Sequence, residues 1–206
     1  MPKLDATAKS ERRRRLVEAA WRCVATGGFR DLTVDAVCAE AGVSKGAFYV
    51  YFRRKRDLLA ALLDDETSTI DGLMESLAAT DLSWVERLRR VVRAMLQRGE
   101  DPARVQVRAD LWVAIRQDPA LRDALAESMR RRRAVLRDWI ERGTAAGELD
   151  AVPANALAAM LLALGDGLML HAGLDPGGFR WPNIRRAMDA MLDGLGPARG
   201  PALAPT

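Results

Sequence analysis

Thr33, Gly42 and Ser44 mark where short helices begin and end in the stretch TVDAVCAEAGVSKGAFYVYFRRKRDLL, residues 33 to 59. Thr33 is a preferred N-cap, and Asp35 in the following turn suits the positive end of a helix dipole. Gly42 is the residue type that ends helices, and Ser44 can cap the next helix after a short turn. Helix, glycine-containing turn and helix is the pattern of a helix-turn-helix unit. The stretch predicts such a unit, braced by a helix before it.

Apolar residues recur every three to four positions through most of the chain, and alternating strand patterns are scarce. Leu16, Ala20 and Val24 form one stripe of a helix from about 10 to 26, with Arg12 to Arg15 at its solvated start and Gly27-Gly28 at its end. We therefore expect an all-α protein, an N-terminal three-helix domain followed by a helical bundle. Further helices are predicted at about 55–77, 83–98, 103–117, 119–144, 153–172 and 183–195.

Charge is distributed unevenly along the 206 residues. Residues 1–57 contain 13 Lys and Arg against 7 Asp and Glu, whereas the remainder contains 19 against 21. A small basic unit suits a polyanion such as nucleic acid. We predict a DNA-binding domain at 1–57, an effector-binding and dimerisation domain at 58–195 and a disordered tail at 196–206.

Several classes of protein are disfavoured by the residues present. The chain has one His, no glycine-rich phosphate loop, and Cys23 and Cys38 spaced for neither a metal nor a redox pair. We expect no catalytic centre, no metal site and no cofactor. Asn155 and Asp166 interrupt the most apolar stretch, and no apolar run follows the N-terminal charges, so we expect a cytoplasmic protein without a membrane partner.

The aromatic residues of the second helix of the unit divide between two faces. On a helical wheel Phe52 lies about 40° from Phe48, whereas Lys45, Gly46, Tyr49 and Val50 spread over a second face. We assign the phenylalanines to the core. Gly46 costs a helix about 1 kcal/mol relative to Ala, so close approach of a phosphate backbone or of the preceding helix is expected there.

Residues 33 to 59 closely resemble the helix-turn-helix of TetR-type bacterial transcriptional repressors, through a Thr-capped helix, Ala-Gly-Val-Ser, Lys-Gly, Tyr and Phe-x-x-Lys-x-x-Leu. The resemblance extends over about residues 10 to 60. Tyr51 stands where many relatives have His, and Phe48 where Leu or Ile is commoner. The resemblance implies DNA-backbone contacts by Thr33, Lys45, Tyr49, Tyr51 and Lys55, and positions near base edges for Ser44, Gly46, Ala47 and Val50.

The C-terminal half contains a helix that is apolar on nearly every side, residues 154 to 172, so it needs cover from more than its own domain. The last helix adds an apolar stripe, and two helices per subunit make a four-helix dimer interface. A simple buried core helix is the alternative. TetR-type proteins commonly dimerise through their last two helices, and LGDGLMLHAGLDP resembles C-terminal domains of repressors of choline-to-betaine genes. The interface residues we predict are Leu161, Leu164, Leu168, Ile184, Met188, Met191 and Leu195.

Aromatic residues of this half can fill a core or line a ligand cavity. We predict Trp112 and Trp139 as pocket residues because they belong to central helices, with Met95 and Met169 as adaptable walls. Asp166 can be the counter-charge of a cationic ligand or a polar residue at the dimer seam. His171 can contact ligand or lie at a helix end or interface.

These observations predict a homodimeric repressor that binds a near-palindromic double-stranded DNA operator and is released by a small-molecule effector. The alternative is a constitutive DNA-binding regulator or activator, which would have no effector cavity.

Overall fold

A computed structural model describes residues 6–197, with all side chains in that range except those of residues 6, 7, 29, 30, 103, 106, 107, 110 and 114. The described chain is helical and contains no strand, as the sequence predicted. The predicted disorder of the tail concerns mainly residues 198–206, which lie outside the described residues. The helices are α1 (Ala6–Asp31), α2 (Val34–Ala41), α3 (Lys45–Tyr51), α4 (Lys55–Ala78), α5 (Trp84–Gly99), α6 (Pro102–Gln117), α7 (Pro119–Ala145), α8 (Ala154–Leu174) and α9 (Trp181–Asp193).

Helix ends lie within about two residues of the predicted ones except in α1, which begins at Ala6 and not at about 10. In α1 the backbone leaves helical geometry at Gly28, whose φ of 73° favours glycine, but the helical span resumes to Asp31. The last helix begins at Trp181 and not at 183, because Pro182 occupies its first turn, where proline is favoured. Leu195 therefore follows the helix, and its carbonyl accepts a hydrogen bond from the Asp150 amide at 2.8 Å.

The chain forms two compact units. Unit 1 contains the chain up to Thr69 and Pro102–Leu125, and unit 2 contains Ile70–Asp101 and the chain from Ala126 onward. Two of the three limits of these units fall inside α4 and α7, and the third lies between α5 and α6. The predicted domain division after Asp57 does not coincide with the limits of these units, and it stays a prediction.

In unit 1, α1 packs against both α2 and α6. Leu16, Ala20 and Val24 of α1 are buried, together with Val37 of α2 and Phe48 of α3. The apolar stripe that the sequence predicted for the first helix thus faces inward. Helix α1 therefore packs against the buried side of the helix-turn-helix.

Polar contacts also connect α1 with α4 and α6. The Trp21 indole donates a hydrogen bond to the Asp65 carboxylate at 2.8 Å, and the Arg104 guanidinium lies 5.7 Å from the centre of the Trp21 ring. Glu66, which is only 4% exposed, accepts a hydrogen bond from Arg108 at 3.1 Å. A buried carboxylate needs such partners, because desolvation disfavours its charged form.

Unit 2 has its own core, built from the end of α4 and from α5, α7, α8 and α9. Its central side chains include Leu88, Trp139, Ile140, Leu161 and Leu192. Helix α5 packs against both α8 and α9. A Cβ added at Gly165 of α8 would lie 2.5 Å from the Met95 methyl group, so glycine permits α8 to lie close to α5.

Candidate DNA-binding surface

Caps fix the beginnings of α2 and α3 and the turn between these helices. The Thr33 hydroxyl accepts a hydrogen bond from the Ala36 amide at 3.1 Å, and the Ser44 hydroxyl accepts one from the Ala47 amide at 3.2 Å. Gly42 has a φ of 65°, in the left-handed region that favours glycine, and the Val43 amide donates to the Cys38 carbonyl at 3.0 Å. These predicted caps are confirmed, and they set the direction of α3.

The two phenylalanines hold α3 to the core. Phe48 is 0% and Phe52 2% exposed, and their ring centres lie 5.5 Å apart. The guanidinium of Arg13 in α1 lies 5.4 Å from the centre of the Phe52 ring. The predicted assignment of both residues to the core is confirmed, so α3 cannot rotate without exposing both rings.

The opposite face of α3 remains in solvent. Tyr49 is 51% and Val50 65% exposed, and the Tyr49 ring contacts Phe48 edge-on at 5.5 Å between centres. Ser44, Lys45 and Gly46 are exposed, whereas Ala47 and Tyr51 are half-buried. Large apolar and aromatic groups that stay exposed beside a lysine favour a binding surface. These are the positions that the sequence predicted to face DNA.

Gly46 has open space where a side chain would extend. Among the described residues, a Cβ there would approach only the Ser44 hydroxyl, at 3.8 Å. The preceding helix therefore does not require this glycine. Of the two reasons that the sequence left open, approach of a phosphate backbone stays as a prediction.

Lys45 is held by an acidic neighbour that the sequence analysis did not connect with it. Its Nζ lies 2.7 Å from Oδ1 of Asp35 in α2, and both side chains are largely exposed. The hydrogen bond to Asp35 raises the pKa of Lys45. Exposed pairs of this kind are weak, so a phosphate or a guanine can compete for the ammonium group.

The remaining predicted contacts lie at helix beginnings. Thr33 and Lys55 are exposed, at the cap of α2 and the first residue of α4. The Asp57 carboxylate accepts the Arg54 amide at 3.0 Å and so closes the start of α4. The Lys55 side chain is exposed, so it is available to a polyanion.

A cleft of about 220 Å³ borders α3 on the side of α1. It is lined by Arg12, Arg15 and Leu16 of α1, Ala41 at the end of α2, Gly42 and Val43 of the turn, and Ala47 and Tyr51 of α3. The sequence analysis placed the arginines only at a solvated helix start. Spacing by three and four residues, which puts residues 12, 15 and 16 on one helix face, was the signal that could have found them.

The predicted effector-pocket residues have different surroundings. In unit 2, Trp139 and Met169 are buried, while Met95 and Asp166 are half-buried. Trp112 belongs to unit 1 and is 38% exposed. His171 is exposed in the last turn of α8, with its ring centre 6.4 Å from that of Phe179. Their role in ligand binding stays a prediction.

The predicted dimer residues fall into two groups. Leu161 and Met188 are buried in the unit 2 core, whereas Leu164, Leu168, Ile184 and Leu195 are half-buried and Met191 is exposed. Helix α8 is also apolar enough, by length and composition, to cross a bilayer, although Leu157, Ala158 and Leu161 pack into that core. Met160, Leu170 and Leu174 of α8 are 65%, 52% and 76% exposed and were not singled out by the sequence.

Comparison with family models gives two matches in succession along the chain. Residues 16–62 match the family described as bacterial regulatory proteins, tetR family. Residues 84–197 match the family described as BetI-type transcriptional repressor, C-terminal. The first match contains α2 and α3, and the second contains α5 to α9.

Individual relatives agree over most of the chain. The HTH-type transcriptional repressor Rv1474c of Mycobacterium tuberculosis is 31% identical over 179 residues, 85% of this chain and 91% of that protein. The HTH-type transcriptional regulator BetI of Escherichia coli is 32% identical over 177 residues, 84% of this chain and 87% of that protein. A transcriptional regulator from Saccharomonospora viridis, crystallised in complex with choline, has a TM-score of 0.76 at 25% identity, covering 89% of this chain and 96% of that one.

Proposed function

This chain belongs to the TetR family of bacterial transcriptional regulators, and from that premise we propose that it is a cytoplasmic, homodimeric repressor. It binds a near-palindromic operator, and a small-molecule effector releases it. The observation that carries the proposal is the division of α3, in which buried Phe48 and Phe52 hold an exposed face of Lys45, Tyr49 and Val50 toward solvent.

The chemistry of this face suits a major groove. Thr33, Tyr49, Tyr51 and Lys55 can donate to phosphate oxygens, which fixes position without reading sequence. Ser44, Gly46 and Ala47 lie near base edges in the proposed complex. Val50 can contact a thymine methyl group, and Lys45 can donate to guanine O6 and N7.

The outer face of α8 supports the homodimer. Met160, Leu170 and Leu174 of this helix are exposed, and Leu164 and Leu168 are half-buried. Single exposed apolar residues are ordinary on a protein surface, whereas several along one helix favour a binding surface. Ile184, Met191 and Leu195 extend it in the proposed interface, which a second copy of the same helices covers. A Cβ at Gly167 would meet no described atom within 4 Å, so α8 has room there for a partner helix.

An effector would act by favouring a dimer in which the two α3 helices no longer match successive major grooves, about 34–36 Å apart. By linkage, it must bind the DNA-incompetent state more tightly than the DNA-bound state. We propose α4, which extends from Lys55 to Ala78, as the lever. Choline is the first compound to test, because a regulator of similar fold was crystallised in complex with it. In the proposed site, the predicted pocket residues Asp166, Trp139 and Met169 would contact its quaternary ammonium group.

The test is selection of bound fragments from genomic DNA, followed by footprinting of a selected site and screening of small molecules for release. A two-fold symmetric footprint and release by one compound class are expected. Selection of no sequence would contradict operator binding. A specific footprint that no compound changes would favour the constitutive regulator, and a monomer at micromolar concentration would contradict the interface.

A further inference from the structure

The four consecutive arginines at the start of α1 do not have equivalent surroundings. Arg14 is paired with Glu11 and with Glu18, and its hydrogen bond to Glu11 lowers the pKa of that carboxyl, with a smaller contribution from the charge of Arg15. Arg13 lies over the Phe52 ring. Within residues 6–197, Arg12 and Arg15 make no hydrogen bond or ion pair. The two arginines without a carboxylate partner are the two that line the cleft.

The remaining walls of this cleft also suit an anion. Tyr51 contributes a phenol, and Ala47 and the turn at Gly42 and Val43 contribute no carboxylate. The volume of about 220 Å³ admits a phosphate group with its two ester oxygens. A guanidinium can bind two oxygens of one phosphate at once, and two guanidiniums on one helix face can hold a single diester from one side.

The position of the cleft indicates that the anion is a phosphate of the DNA backbone. It shares Ala47 and Tyr51 with α3, where Ala47 is proposed to lie near base edges and Tyr51 to contact the DNA backbone. A phosphodiester beside the bases that α3 reaches would enter the same space.

We propose that Arg12 and Arg15 form a second phosphate clamp, beside the helix-turn-helix contacts and sharing Tyr51 with them, which binds a backbone phosphate next to the bases facing α3. This proposal rests on operator binding as proposed above. Because phosphate contacts carry no sequence information, the clamp increases affinity for operator and for unrelated DNA equally. The clamp fixes the position of the protein on the DNA and does not discriminate between bases.

The experiment compares Arg12→Gln, Arg15→Gln and the double variant with Arg14→Gln. The control removes the same charge from the same helix turn, but from an arginine already paired with two carboxylates. Binding to a selected operator and to scrambled DNA of equal length is measured by fluorescence anisotropy at several salt concentrations. Circular dichroism checks that each variant keeps its helix content and melting temperature.

The expected result is a shallower salt dependence for the three clamp variants, Arg12→Gln, Arg15→Gln and the double variant. Each lost phosphate contact reduces the slope of log K against log salt by about 0.9, hence by about 1.8 for a dimer that carries the substitution twice. Arg14→Gln should leave the slope near the wild-type value, and Arg12→Lys with Arg15→Lys should restore most of it. Operator and scrambled DNA should lose affinity by the same factor.

An unchanged slope for the double glutamine variant would overturn the clamp, as would an equal decrease for Arg14→Gln, which would show a general charge effect. A second arm adds inorganic phosphate to the protein without DNA. Saturable thermal stabilisation that the double variant loses, with DNA binding unchanged, would assign the cleft to free phosphate and overturn the proposal. If the wild-type protein selects no DNA, operator binding itself fails, and that result is distinguishable from failure of the clamp.

Discussion

Helices α3 and α8 both leave large apolar side chains in solvent, but with different neighbours. On α3, exposed Tyr49 and Val50 share a short helix with exposed Lys45 and its cap Ser44, and the basic residues that begin α4 follow a few positions later in the chain. On α8, the sequence around Leu170 and Leu174 contains no lysine or arginine, and Asp166 and His171 are the ionisable residues of that helix. An aromatic surface mixed with cations suits a polyanion, whereas a continuous apolar surface suits another protein surface. The comparison shows that exposed apolar side chains alone do not indicate which partner a surface suits. The charged residues near those side chains distinguish the two kinds of partner.

The anchoring of α3 gives the largest expected effect. Phe48→Ala should lower the free energy of unfolding by about 3–5 kcal/mol, because it leaves a cavity where a fully buried ring packed. Tyr49→Ala should cost far less stability, since half of that side chain is already in solvent, but should weaken operator binding. Urea denaturation and anisotropy on the same two proteins measure this division. Equal losses of stability would contradict the two-face description of α3.

Disruption of the α8 surface is expected to come next. Leu170→Glu should raise the dimer dissociation constant by about 100-fold or more, because an unpaired carboxylate would be buried against the partner. Val113→Glu is the matched control, since Val113 is an exposed apolar residue of α6 in unit 1. Sedimentation equilibrium measures both. Dissociation by the control, or none by Leu170→Glu, would remove α8 from the interface.

The pair between Lys45 and Asp35 predicts two opposite and moderate changes. Lys45→Gln should weaken operator binding by about 1 kcal/mol or more, whereas Asp35→Asn should strengthen it by a few tenths to about 1 kcal/mol. The asparagine removes a carboxylate that repels phosphate and releases the ammonium group. Anisotropy titrations at one fixed salt concentration give both values. Weaker binding by Asp35→Asn would mean that Asp35 orients Lys45 for DNA and does not compete with it.

The smallest change concerns Gly46. Gly46→Ala should stabilise the free protein by at most about 1 kcal/mol, because a Cβ meets only open space beside Ser44. In the proposed complex the same methyl group would face the DNA, so affinity should fall while stability rises. Thermal melts and anisotropy measure the two effects. Unchanged affinity would show that DNA does not approach α3 at this residue.

Local signals explain why much of unit 1 could be predicted. Caps at Thr33 and Ser44, a left-handed turn at Gly42 and the spacing of Phe48 and Phe52 are all decided within a few residues of the chain. The sequence therefore predicted the helix-turn-helix and the two faces of α3 together. The family matches then confirmed the resemblance on which the proposed DNA contacts rest.

Contacts between distant residues explain what was missed. Periodicity alone does not reveal that Lys45 meets Asp35, or that Arg12 and Tyr51 border one cleft. Helix α8 lacks a polar face, so its pattern does not tell which side packs inward. For that reason the sequence could not separate Leu161, which is buried in the core, from Leu170, which is exposed.

The contact of α6 with α1 joins a helix of the predicted effector-binding domain, residues 58–195, to the helix that supports α3. Arg104 lies over Trp21, and Trp21 donates to Asp65, so α6, α1 and α4 share one set of contacts within unit 1. Residues separated by more than eighty positions in the chain therefore touch through a single helix pair. In the proposed mechanism, a displacement of α6 would reach α1, the support of α3, without being transmitted along the length of α4.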